Sequence, residues 1–201
     1  VMLFGLGTLA AIWVLARDMA GATVAHVTTL LLALSYHQIW FSQNARGYTG
    51  LAFFSVLGML LFLRGMERPT RAVWIGYGIS LAAAVFTHLT GAFFFMAQGL
   101  IWLAIVAVRW PRGRLEGGLI RLPFMGFLVG GLITAAFYLP LLPSLVDTVS
   151  NVSGTSATDV MQEYQNPLWT AFEAIRTGIG HAGPLTALVG AMVLILSLLG
   201  A

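Results

Sequence analysis

Seven long apolar stretches separated by short loops, with the arginines falling on alternate connections, restrict this chain more than any other feature of its sequence. At 59% hydrophobic and 8% charged residues, with a mean hydropathy of +0.90, there is too little polar surface to cover a water-soluble globule of 201 residues. The bilayer is the solvent such a sequence fits. The expected spans are 1–16, 19–41, 47–63, 72–87, 90–108, 122–142 and 184–201, each free of Asp, Glu and Arg and each near the roughly 20 residues that a crossing needs. The predicted fold is therefore all-α, a polytopic transmembrane helix bundle of about seven spans forming one transmembrane domain over 1–201. Both ends fall inside apolar runs, and the expectation is a fragment truncated at each end. A signal peptide is a poor account of residues 1–16, because no basic segment precedes the run and a second span follows almost at once.

Charge then orients the chain, since short cytoplasmic loops are enriched in Lys and Arg. Arg17 with Asp18, then Arg64, Arg68 and Arg71 with Glu67, then Arg109, Arg112, Arg114 and Arg121 with Glu116 occupy the first, third and fifth connections. Loops 17–18, 64–71 and 109–121 are thus expected to be cytoplasmic, in an integral membrane protein of the bacterial plasma membrane. The even connections hold Arg46, then His88 with no formal charge, then Asp147, Asp159, Glu163 and Glu173 against Arg176, and these face outward. The net charge of +3 is spread over the inner loops and reports orientation, not a nucleic-acid surface. With no cysteine, disulfides and thiolate metal sites are excluded.

Small residues at helical spacing mark where helices approach closely. Gly126, Gly130 and Thr134 form one such stripe, and Gly76, Ser80, Ala84 and His88 another. In the second span Thr23, His26, Ala33 and His37 share one face of a continuous helix, predicted to look into the bundle, with the two histidines about 16 Å apart and too distant to share a metal. The sixth connection, 143–183, is the long extracytoplasmic loop. It is expected to begin as flexible chain through the Ser, Thr, Asn and Gly-rich stretch 150–159. A short amphipathic helix follows, with Asn166 as N-cap, Pro167 at the first position and Leu168, Phe172 and Ile175 as its apolar stripe.

The chemistry concentrates in residues 35–48, a run of polar and aromatic side chains at the outer end of the second and third spans. Arg46 offers five donors in a fork that suits a phosphate, and Gln43, Asn44 and Tyr48 add neutral donors. The alternative is that Arg46 snorkels or caps a helix end. For His88 the alternatives are a ligand role and an interhelical hydrogen bond.

The stretch Ser42-Gln43-Asn44-Ala45-Arg46-Gly47-Tyr48 resembles the Ser-Gln-x-Ala-Arg-x-Tyr pattern of the membrane-embedded GT-C glycosyltransferases, in particular the dolichyl-phosphate-mannose protein mannosyltransferase and aminoarabinose-transferase group. Trp74 and Tyr77 at the start of a span and Thr87-His88-Leu89-Thr90 near its outer end are similar to that group as well. The likeness covers roughly residues 1–108. The sequence departs from the pattern in two places: Asn44 stands where Glu is common, and the proline often found a few residues earlier is absent around Tyr36 and His37.

The resemblance implies a glycosyltransferase that moves a sugar from a polyprenyl-phosphate donor in the bilayer to an acceptor glycan, lipid or protein at the outer face. Arg46, Tyr48, Gln43 and His88 would bind the donor phosphate. In the family the catalytic base is an acid in the first outer loop, which lies upstream of Val1, so no catalytic residue is identified and residues 1–201 alone are expected to be inactive. No cofactor or metal ligand is identifiable, a divalent cation is left open, and no nucleic-acid partner is expected. The competing readings are a transporter or lipid flippase, against which no interrupted pair of helices is apparent, and a non-catalytic membrane scaffold.

Overall fold

The computed structural model describes residues 1–43, 47–112 and 117–153, and among them every regular element is helical. The elements are α1 (Met2–Ala20), α2 (Ala22–Ala33), α3 (Tyr36–Gln43), α4 (Tyr48–Glu67), α5 (Arg71–Thr87), α6 (Gly91–Arg109), α7 (Gly118–Tyr138) and α8 (Leu142–Ser153). Single 3-10 turns at Trp110–Arg112 and Leu139–Leu141 follow α6 and α7. Four helical stretches are long and apolar enough to cross a membrane: Met2–Ala20, Tyr48–Glu67, Gly91–Arg109 and Gly118–Ser144. Two shorter apolar helices, Ala22–Ala33 and Arg71–Thr87, accompany them. The seventh expected span, 184–201, and the amphipathic helix expected from Asn166 lie outside the described residues.

Two compact units make up the chain, Val1–Pro140 and Leu141–Ala201. In the first, α5 is the central helix. Trp74, Tyr77, Ser80, Leu81, Ala84 and Val85 are all buried, because two different faces of α5 pack on two neighbours. Against α7 the contact is backbone to backbone: a Cβ on Gly78 would stand 2.5 Å from the Gly126 carbonyl oxygen, and one on Gly130 would stand 2.8 Å from the Gly78 carbonyl. The Gly126/Gly130 stripe thus does what small-residue spacing predicts, with Gly78 opposite it. The Gly76/Ser80/Ala84 stripe turns the other way. A Cβ on Gly76 would approach Leu61, and Ser80 Oγ donates to the Phe54 carbonyl at 2.8 Å, which docks α5 on α4. The core between these helices is aromatic, with edge contacts running from Phe62 to Trp74, from Trp74 to Tyr77 and from Tyr77 to Phe95. Tyr77 Oη donates to Gln98 Oε1 at 2.8 Å, so the one buried amide of α6 meets a hydroxyl where no water is expected to serve either.

Pro123 sits inside α7, fully buried, and cannot donate to the Leu119 carbonyl four residues earlier. Trp102 of α6 supplies the missing donor: its Nε1 reaches Leu119 O at 3.0 Å. The helix continues through the proline because a neighbour satisfies the orphaned acceptor.

Three expectations are corrected. Arg17 and Asp18 do not form a loop. They lie in the last turn of α1, and the chain reverses at Gly21 alone, whose φ of 89° a side chain would disfavour. The second span is not one helix either. Leu34 and Ser35 separate α2 from α3: the Ser35 N–H bonds back to Leu32 O, one residue short of helical spacing, and Ser35 O accepts the Ile39 N–H as α3 begins. His26 and His37 therefore lie on different helices, and Thr23 and His26 are exposed, His26 meeting the edge of Trp13 at 5.9 Å. Third, the connection expected to be a long outer loop does not start as flexible chain, and 154–159 of its Ser, Thr, Asn and Gly-rich stretch lie outside the described residues. Residues 142–153 form α8, where Thr148 Oγ1 bonds back to Ser144 O and Ser150 Oγ to Asp147 O.

The last turn of α1, with Arg17 and Asp18, and the connections after α4 and after α6 gather at one end of the first unit. Arg64 holds Asp18 through Nε at 2.9 Å and Nη2 at 2.6 Å, Arg17 pairs with the other carboxylate oxygen at 3.2 Å, and a Cβ on Gly118 would meet Pro69 at 3.6 Å. The connections after α3 and after α5 meet at the opposite end, which brings the expected site residues into view.

Candidate functional site

At that end α3, α4 and α5 converge. Gly47 lies against the Thr87 carbonyl oxygen, so close that a Cβ would overlap it, and a Cβ on Gly50 would press on the Thr87 methyl at 2.7 Å. At the second residue of α4, buried Thr49 donates from Oγ1 to the Phe41 carbonyl at 2.7 Å, which ties the start of α4 to the end of α3. On the far side of α3, Gln38 Nε2 donates to Gly5 O at 3.2 Å, and Ser42 Oγ would stand 2.5 Å from a Cβ at Gly5. Two polar residues of the 35–48 run are thus used to seat α3 on α1.

The remaining rings form a connected surface. His37 stacks on Phe41 at 6.3 Å between centroids, Phe41 meets Tyr48 at 5.0 Å, and Tyr48 meets His88 at 4.8 Å with 32° between the planes. Trp40 packs edge-on to Phe41 at 4.9 Å and is two-fifths exposed, as is Tyr48. Gln43 is exposed at the end of α3. His88 is half-buried, caps α5 in an extended conformation, and brings Nδ1 to 2.7 Å from Thr90 Oγ1. Of the four expected site residues, Tyr48 and His88 are in direct contact, Gln43 lies on the adjoining helix, and Arg46 lies outside the described residues. His26 takes no part. Sequence reading missed Thr49 and Gln38, whose partners are backbone carbonyls 8 and 33 residues away, and it assigned no role to Thr90.

An apolar cleft of about 530 Å³ lies between α5, α6 and α7, lined by Val85, Ala92, Phe95, Leu103, Phe127 and Thr134 among others. From Ala92, near the start of α6, to Leu103 it follows the helix for about 16 Å. It therefore begins one turn from the loop that carries His88. Among the described residues no group of three His, Asp or Glu side chains is placed to hold a metal.

No protein-family model, no curated protein and no solved structure matches this chain.

Proposed function

We propose that this protein is a GT-C-like membrane glycosyltransferase, or the donor-binding part of one, which holds a polyprenyl-phosphate sugar with its chain in the bilayer and its phosphate at the outer face. The observation that carries this reading is the ring contact of Tyr48 with His88. Two stretches that each resemble the family, 42–48 and 87–90, lie 40 residues apart in sequence and meet at one end of the helices. The outer position of that end follows from the arginines, which cluster at the other.

In this reading Arg46 takes the phosphate with its guanidinium fork, His88, Tyr48 and Gln43 add donors, and the apolar cleft beside α6 has the lining an isoprenoid chain requires. Transfer requires positive charge on the departing lipid phosphate and a base for the acceptor hydroxyl. Arg46 supplies the first, and none of the described residues is assigned the second. Acceptor and sugar are set by parts of the site that these residues do not define.

The test is equilibrium binding of a radiolabelled polyprenyl-phosphate sugar to the purified protein in micelles. A charge-assisted hydrogen bond contributes about 1.5–3 kcal/mol, so Arg46→Ala weakens binding by about 10- to 100-fold. Equal affinity of the wild-type protein for the phosphate and for the corresponding polyprenol would refute the reading.

One observation favours a second reading. The break at Leu34–Ser35 makes the second segment an interrupted helix, the feature with which transporters and lipid flippases line a substrate path. Translocation of a labelled polyprenyl phosphate across vesicles containing the protein, with no sugar transfer, would support it.

A further inference from the structure

His88 ends α5 with φ −160° and ψ 124°, and its imidazole turns onto the residue two positions on. Nδ1 accepts the Thr90 backbone N–H at 3.4 Å and lies 2.7 Å from Thr90 Oγ1. A backbone amide can only donate, so this long 3.4 Å contact favours a lone pair on Nδ1, and the Thr90 hydroxyl, donating to the same nitrogen at 2.7 Å, supplies the stronger bond that holds it there. In the neutral ring the single proton is left on Nε2. A half-turn of the ring would put a carbon where both donors point and forfeit both bonds. The Tyr48 ring covers one side of the imidazole at 4.8 Å. His88 is thereby held as an Nε2–H donor whose only lone pair is already engaged.

We propose that Thr90 is a positioning residue that fixes His88 in the Nε2–H form, so that His88 serves the non-bridging oxygens of a phosphate as a hydrogen-bond donor and does not act as the base for an acceptor hydroxyl. The proposal rests on the donor-phosphate reading above, but the proton position is a property of the free protein and is measured without any ligand. Its ligand chemistry is the phosphate group, which either free phosphate or a lipid phosphate supplies.

The chain has four histidines, His26, His37, His88 and His181, so the ring nitrogens of ¹⁵N-histidine-labelled protein in micelles are few enough to assign. His88→Gln identifies the His88 signals by their loss. Should that variant fail to fold, the triple change His26→Gln, His37→Gln and His181→Gln leaves them alone in the spectrum. The expected result is an unprotonated Nδ1 and a protonated Nε2 in the wild type, with the Nδ1–H form appearing in Thr90→Val and suppressed again in Thr90→Ser. Addition of undecaprenyl phosphate, with empty micelles and inorganic phosphate as separate arms, is expected to move the Nε2 signal and leave Nδ1 in place. A response to the lipid alone assigns the site to a lipid phosphate, whereas a response to both assigns it to the phosphate group itself, and either supports the donor role.

In binding, His88→Leu is expected to lose about tenfold in affinity, while His88→Gln, which keeps an N–H donor, loses only a few-fold. A wild-type ring protonated at Nδ1 overturns the proposal even if donor lipid binds well. A correct Nε2–H form that no phosphate perturbs overturns the ligand assignment, and if Arg46→Ala also leaves lipid binding unchanged, the donor-phosphate reading falls with it.

Discussion

Replacing Trp102 with Phe tests whether one indole N–H allows α7 to run through Pro123. The Leu119 carbonyl has no intrahelical donor, because the residue four positions on is the proline, and Trp102 Nε1 meets it at 3.0 Å from α6. Leaving a buried acceptor without a donor costs about 1–3 kcal/mol in general, and single hydrogen-bond couplings between membrane helices average about 0.6 kcal/mol with a maximum near 1.7. About 1 kcal/mol is therefore expected for this bond. Trp102→Phe also removes ring surface packed near Phe127, at 5.8 Å between centroids, so the single variant does not isolate the hydrogen bond. Pro123→Ala does. It restores an amide N–H at position 123, which donates to Leu119 O along the helix and leaves the indole bond dispensable. The loss of ring packing is common to both backgrounds and cancels in the cycle. In reversible unfolding by SDS in mixed micelles, followed by helical circular dichroism, Trp102→Phe should cost about 1 kcal/mol less in the Pro123→Ala background than in the wild type. Additivity within about 0.3 kcal/mol would refute the reasoning.

Two further outcomes follow from contacts already described. Gly47→Ala places a methyl into the Thr87 backbone carbonyl, so α4 and α5 must separate at this end. Overpacking of this kind costs about 1–3 kcal/mol and should also weaken the donor-lipid binding proposed above, and an unchanged melting temperature in micelles would rule out the close approach. Tyr77→Phe leaves the buried Gln98 Oε1 without its donor, while Gln98 Nε2 still reaches Met59 Sδ at 3.7 Å. A loss of about 1 kcal/mol is expected, recovered in part by adding Gln98→Leu, and full additivity of the two changes would show that the pair is not coupled.

What the sequence made legible were the features that depend on period and composition. The Gly126/Gly130 stripe predicted a close helix contact, and that contact exists. The alternation of arginines predicted which connections share an end, and Asp18 with Arg64 and Pro69 with Gly118 show that they do. The second span was misread because hydropathy counts apolar residues without sensing where a backbone turns. Positions 22–43 are apolar enough to be one helix, yet Gly21 turns the chain with a positive φ and Ser35 accepts the first hydrogen bond of α3. Both residues carry familiar signals, glycine for the left-handed region and serine for a helix start, which the surrounding apolar run obscures. In the site, the pairing of Tyr48 with His88 was expected only as shared membership of one region. Their contact depends on Gly47 lying against Thr87, a backbone approach that no periodicity encodes.

The placement of His88 is best understood from the far side of α5. A histidine at the frayed end of an isolated helix would sample many positions, but α5 is gripped along its length from two directions. On one side Gly78 locks to Gly126 and Gly130, and Tyr138 Oη donates to the Val85 carbonyl at 3.0 Å in the last turns before the histidine. On the other side Ser80 bonds to Phe54 O, and Gly47 and Gly50 hold Thr87 one residue from His88. The helix therefore has little freedom to slide or rotate, and the backbone bond from His88 N to Ala84 O at 2.9 Å carries that constraint to the imidazole. Tyr48 is fixed by the same contacts from the α4 side. A pairing assembled from two helices in this way gains its geometry from small residues remote from it, so substitutions at Gly78 or Gly130 should disturb the Tyr48–His88 contact, and with it the phosphate binding proposed above, more than their distance from His88 suggests.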